Sequence, residues 1–245
     1  MKARICTVFI FAGLLSYFLA LIPLPAAEIE NFESLEITDS VLPEYPVRLA
    51  YEGIFNGRAR VMISVDRTGQ LTDVFMESYS HPEFGRLADN YIRKWAFKPA
   101  KLNGEPISSI KPVNFYFDDK RGVFSMGSPE AMASHFFVGN NREAKRIYGV
   151  QELDKQLEAL EITQPLYPLE FKYSGIDGTA TIMFYVDETG SVRMPYTTEY
   201  SHRSFGQTAL GAVRKWKFKP PMVKGKPVSI LVRQTFQFNG ASGES

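Results

Sequence analysis

Arg93-Lys94-Trp95-Ala96-Phe97-Lys98-Pro99 and Arg214-Lys215-Trp216-Lys217-Phe218-Lys219-Pro220 are one phrase written twice, 121 residues apart (Arg93 to Arg214). The spacing holds well beyond the phrase. Gly57 answers to Gly178, Asp66 to Asp187, Thr68-Gly69 to Thr189-Gly190, Ser80-His81 to Ser201-His202 and Phe84-Gly85 to Phe205-Gly206. Downstream, Gly104, Pro106, Phe115 and Phe117 answer to Gly225, Pro227, Phe236 and Phe238. Upstream, Leu35-Glu36-Ile37-Thr38 returns as Leu160-Glu161-Ile162-Thr163, and Tyr45-Pro46 as Tyr167-Pro168. So many matches at one spacing mean an internal duplication. Two copies of about 80 residues are too few for a solenoid, and each is long enough to own a core. The expected layout is a leader at 1–27, a first module at 28–119, a spacer at 120–157, a second module at 158–240 and a tail at 241–245.

Each copy carries the same element signals. Ala59, Val61, Ile63 and Val65 alternate with Arg58, Arg60, Met62 and Ser64, the period of a half-buried strand. Ala180, Ile182, Phe184 and Val186 repeat it. Asp66 to Gly69 and Asp187 to Gly190 read as tight turns, with glycine supplying a positive φ. A second strand is expected near 71–77 and 192–198. Pro195 lacks a ladder donor, so the second copy of that strand belongs at a sheet edge or a bulge. Phe84, Leu87, Ala88, Tyr91, Ile92 and Trp95 then step with helical period, as do Phe205, Ala209, Ala212, Val213 and Trp216. Last strands are expected at 112–117 and 231–238. The fold class is α+β: two tandem modules, each a roughly three-stranded antiparallel sheet with one helix on one face.

Outside the repeat, Pro129 to Phe137 and Arg142 to Leu160 read as helical pieces of the spacer. At the start, Lys2 and Arg4 precede an apolar run from Ile5 to Ile22, then Pro23, Pro25, Ala26 and Ala27. That order predicts a secretory signal peptide cleaved near Ala26, or an uncleaved N-terminal anchor. Either places the bulk of the chain outside the cytoplasm. Cys6 lies in this leader and is the sole cysteine, so thiolate chemistry is not expected beyond it. The formal net charge of +1 gives no electrostatic reason to expect nucleic acid as a partner.

In order along the chain stand Pro43-Glu44-Tyr45-Pro46, Gly57 to Val61, Asp66 to Gly69, Trp95 to Pro99, Asn103-Gly104-Glu105-Pro106-Ile107 and Phe115-Tyr116-Phe117. The second copy has Pro165-Leu166-Tyr167-Pro168, Gly178, Asp187 to Gly190, Trp216 to Pro220, Gly225-Lys226-Pro227-Val228 and Phe236-Gln237-Phe238. This train resembles the TonB C-terminal domain family. The resemblance implies a periplasmic domain that takes an extended peptide by strand addition. It also implies, as an alternative, an energy transducer anchored in the inner membrane that supports outer-membrane transport. The leader carries no histidine and no long proline-rich spacer follows it, two departures from such transducers.

Candidate site residues follow from both lines. Val232 to Phe238 end the second module, and an edge strand there can accept a partner strand. The candidates within it are Arg233, Gln234, Thr235, Phe236, Gln237 and Phe238. Tyr45, Pro46, Tyr167 and Pro168 read either as staples where the chain enters each first strand or, by the resemblance, as contacts to a bound peptide. Ser80-His81 and Ser201-His202 recur, yet no orienting acid or oxyanion hole accompanies them. They read as helix caps, with Ser80 and Glu83 fitting a capping box. No catalytic residue, metal ligand or cofactor is expected. The expected partner is an envelope protein or peptide segment, with a homodimer or structural scaffold as the rival.

Overall fold

The computed structural model describes residues 31–120, 122–126 and 144–240. The leader, the Pro129–Phe137 stretch, His135 and the tail lie outside the described residues. The chain divides into two compact units, with the boundary between Arg146 and Ile147. Among the described residues no helix is long and apolar enough to cross a membrane.

The first module is built on β1 (Asn56–Val65), β2 (Leu71–Tyr79), α1 (Pro82–Ile92), β3 (Ser109–Asp118) and β4 (Gly122–Met126). Its main sheet runs in the order β2-β1-β3-β4 and is antiparallel throughout. The second module repeats this with β5 (Gly178–Val186), β6 (Val192–Tyr200), α2 (Arg203–Val213) and β7 (Ile230–Phe238), in the order β6-β5-β7. Each helix lies across the first two strands of its own sheet. The chain is therefore α+β in two tandem modules. The first carries a fourth main-sheet strand, because residues 122–126 pair with β3 instead of belonging to a spacer.

The local causes are those of the repeated motifs. In both strand-to-strand turns an aspartate accepts from the backbone two and four residues on: Asp66 from Thr68 and Gln70 at 2.8 and 3.0 Å, Asp187 from Thr189 and Ser191 at 3.0 Å each. Gly69 and Gly190 close these turns at φ +86°. The alternating strand residues face the helix and make each core. Val61, Ile63, Phe84, Ile92, Phe115 and Phe117 form the first, and Ile182, Phe184, Phe205, Val213, Trp216 and Phe236 the second. Both tryptophans are buried, and each indole N–H donates to a carbonyl of the leading segment, Trp95 to Val41 at 2.9 Å and Trp216 to Thr163 at 2.8 Å. Pro195 does sit on an edge strand, β6, where the register shifts and Met194 takes φ +46°.

Two expectations are corrected. Residues 144–160 hold no α-helix, only a single 3-10 turn at Val150–Glu152 and a short strand at Ala159–Glu161. Their apolar residues go to separate partners: Leu157 is buried in the second core, while Leu160 is 58% exposed. The helix caps are His81 and His202, not the serines. Their Nδ1 atoms accept from the amides of Glu83 at 3.2 Å and Ser204 at 3.3 Å. The serine hydroxyls reach back to the first strands, accepting from Arg58 N–H at 3.0 Å and Thr179 N–H at 2.9 Å.

Candidate functional site: an open sheet edge

β7 alternates strictly. Ile230, Val232, Gln234, Phe236 and Phe238 are buried, while Arg233, Thr235 and Gln237 are exposed. Its backbone alternates too. The Ser229 carbonyl accepts from the Tyr148 N–H at 3.0 Å, and Tyr148 forms a parallel bridge with Ile230. Odd-numbered residues of β7 therefore turn their backbone groups away from β5, and even-numbered ones pair with it. Among the described residues no strand pairs with that outer side, so β7 is a sheet edge from Arg233 onward.

The surroundings of this edge are specific. The amide Nε2 of Gln234, a residue 5% exposed, donates to the Thr235 carbonyl at 2.9 Å. Arg233 forks onto both carboxylate oxygens of Glu199 at 3.1 Å, an exposed pair that contributes little to stability. The Thr235 and Thr181 hydroxyls meet at 3.0 Å. Beside the strand opens a cavity of about 210 Å³, walled by Val150, Leu157, Phe184, Trp216, Phe218 and Val232. It is apolar, and it adjoins an edge with outward-turned backbone groups. That combination can hold an extended chain by its backbone and one apolar side chain by burial.

The cavity's near wall is a strap, residues 147–157, tied down at both ends. Tyr148 holds one end as above. At the other, Asp154 accepts from the amides of Lys224 and Gly225, each at 2.8 Å. These two backbone bonds hold the Asp154 carboxyl below the ordinary aspartate value. A depressed pKa means the tie is intact above the ordinary aspartate pKa and is lost as pH falls through the lowered value. In an NMR titration the Lys224 and Gly225 amide protons should move together, with a midpoint below that of a model aspartate. Asp154→Asn should remove the step; an unchanged titration in that variant refutes the tie.

The model of the Gram-negative bacterial TonB protein C-terminal matches residues 41–118 and again residues 163–239, well over half of the chain. The chain belongs to the TonB C-terminal family. Protein TonB of Vibrio cholerae serotype O1 is 28% identical over 87 residues, which span 35% of this chain and 36% of that protein. The match thus covers about a third of the relative's length. The solution structure of the Pseudomonas aeruginosa TonB CTD is 23% identical with a TM-score of 0.34, covering 40% of this chain and 98% of that one. The TonB2 protein of Vibrio anguillarum is 29% identical with a TM-score of 0.30, covering 35% and 82%.

In these TonB C-terminal modules the ten candidate residues are divided between the two units. Arg233 to Phe238 lie along β7, but the Phe236 and Phe238 rings point into the core, 5.6 Å from Trp216 and 4.8 Å from Phe205 between centroids. Tyr45 and Pro46 belong to the other unit. Tyr45 donates its hydroxyl to the Ile54 carbonyl and lies 6.2 Å from Phe84. Tyr167 donates to Ile176 at 2.6 Å and lies 5.8 Å from Phe205, and Pro168 is buried. Both tyrosines thus pin the chain to the helix start of their own module. The strap and its cavity carry no repeated motif, so the sequence offered no signal for them.

Proposed function

We propose that the second module is a protein-binding unit that takes an extended segment of an envelope partner by strand addition to β7. The observation that carries this reading is the outward-turned backbone of β7 around Arg233 and Thr235, which no strand among the described residues pairs with, beside a largely apolar cavity. The Ser80 and Ser201 hydroxyls are engaged by strand backbone and His81 and His202 cap helices, so the repeated pairs lack a free nucleophile; we read the chain as a non-enzyme. With the leader directing export, the modules work in the periplasm. Family membership favours one further reading, an anchored transducer in support of transport across the envelope, and the same edge would serve it.

The test is Thr235→Pro. Thr235 is outward-facing, so proline there removes a docking donor and no bond to β5. β3 already tolerates Pro112 in its main sheet. The variant should fold, lose about 1 kcal/mol at most with the Thr181 contact, and lose at least about tenfold in partner capture. Capture is read by crosslinking in the envelope fraction and folding by thermal melting. Full capture by a folded variant refutes the edge.

A further inference from the structure

The place that the cavity takes beside β7 is crossed by a side chain in the first module. Leu157 holds in the second module the place of Leu35 in the first. Each is buried in its module's core, and the residue after it pairs with a lysine, Glu36 with Lys98 at 3.1 Å and Glu158 with Lys219 at 2.6 Å. The repeat carries Lys111 onto Val232 and Val113 onto Gln234. Lys111 reaches from β3 to this leading segment, its ammonium donating to the Leu35 carbonyl at 3.0 Å and the Ser34 hydroxyl at 3.4 Å. Val232 is too short for such a reach, and the strap is tied instead through Tyr148 and Asp154. The gap persists as the cavity of about 210 Å³.

Its walls select a kind of ligand. Phe184, Trp216 and Phe218 supply three rings, and the Trp216 N–H is already given to Thr163. Among the described residues Arg233 is the one charged residue of the lining, and Glu199 holds its guanidinium. An ion would lose its water there with no unpaired charge to receive it, so the site suits a neutral molecule. Gln234 also lines the cavity and is 5% exposed. Its Nε2 donates to the Thr235 carbonyl at 2.9 Å, which identifies the other end of the amide as oxygen. That oxygen meets no donor among the described residues. A buried acceptor without a donor is costly, and a ligand N–H or O–H would satisfy it. An apolar cavity of about 150 Å³ takes up benzene. The larger space here admits a fused pair of rings.

We propose that this cavity binds a small neutral aromatic molecule with one hydrogen-bond donor, an indole or a phenol. The ring packs against Phe184, Trp216 and Phe218, and the donor meets the Gln234 side-chain oxygen. This site goes beyond the protein-binding reading and stands whether or not β7 accepts a strand.

The probe is indole, titrated into the full chain carrying methyl-labelled valine, leucine and isoleucine for NMR. Indene, of the same shape but without the N–H, is the control. Indole should shift the Val150, Leu157, Ile162 and Val232 methyl signals saturably and leave Val61 and Val113 of the first module in place. Indene should bind the same site about fivefold more weakly, for want of one hydrogen bond. Gln234→Leu keeps an apolar wall but no acceptor, and should lose the preference for indole or reverse it. Val232→Phe fills the space and should weaken both probes about tenfold or more, with folding checked by thermal melting. Silence of the four cavity methyls, equal shifts in the first module, or equal binding of the two probes by the parent chain overturns the proposal. So does a preference for indole that persists in Gln234→Leu, or unchanged binding by a folded Val232→Phe chain. Partner capture is not read here, so this site and the strand-addition reading fail separately.

Discussion

Replacing Phe205 with alanine is expected to lower the stability of the second module by about 3–5 kcal/mol. Phe205 is fully buried at the N-terminal end of α2. Its ring meets Phe238 at 4.8 Å, Phe171 at 5.2 Å and Tyr167 at 5.8 Å between centroids. It also lies flat on Gly178: a Cβ there would fall 2.2 Å from the ring. Neighbours on four sides cannot all collapse into the space, so most of the cavity cost remains. A loss of that size approaches the whole net stability of a small domain. The measurement is urea unfolding followed by Trp216 fluorescence in a Trp95→Phe background, since the chain has two tryptophans. A midpoint within error of the parent refutes the assignment. Gly178→Ala provides the cross-check. It should cost about 1–3 kcal/mol when Phe205 is present, and clearly less in a Phe205→Leu background, because the clash is with that ring. The repeated Gly57 over Phe84, with a Cβ placed 2.1 Å from the ring, should behave alike in the first module.

The parts of this architecture that were legible in the sequence are those whose cause is local or doubled. Period-two and helical stepping, the aspartate–glycine turns and the buried tryptophans each act within a few residues of themselves. The duplication let every reading be checked against a second copy. Pro195 announced an edge because a missing N–H has the same consequence in any sheet. The features that escaped depend on distant partners. Asp154 is explained only by the amides of Lys224 and Gly225, some seventy residues downstream. β4 lies outside the repeat, so no second copy marks Gly122–Met126 as a strand, and its cause is the pairing with β3. Serine and histidine at adjacent positions both offer a cap acceptor. The choice fell to histidine because the Ser80 hydroxyl is taken by Arg58, far back in the chain. The Val232–Phe238 segment lies on a strand at the end of its sheet among the described residues, and alternation along β7 divides it. Arg233, Thr235 and Gln237 face outward, while Phe236 and Phe238 belong to the core.

Gly190→Ala should cost the second module about 3–5 kcal/mol, although the residue lies in a turn and its own side chain packs nothing. Gly190 has φ +86°, where a Cβ is strained in itself. An added Cβ would also lie 1.9 Å from the Phe218 carbonyl oxygen, a backbone atom that cannot rotate away. The approach is fixed from both sides. The Phe218 N–H donates to the Gly190 carbonyl at 2.9 Å, and the Asp187 carboxylate gathers the turn from within. Burial pushes the Asp187 carboxyl up, but the Thr189 hydroxyl, the amides of Ser191 and Thr189 and the Arg193 guanidinium outweigh it and hold it below the ordinary aspartate value. The turn therefore resists opening to admit a methyl group, and Phe218 must yield instead. Phe218 stands 6.1 Å from both Phe184 and Trp216 and walls the cavity beside β7. The damage should thus reach the edge proposed for docking: partner capture should fall together with the unfolding midpoint, read again through Trp216. Gly69→Ala, with its Cβ 2.4 Å from the Phe97 carbonyl, should destabilise the first module by a smaller amount and leave capture by β7 unchanged. Equal loss of capture from both substitutions would refute the assignment of docking to the second module alone.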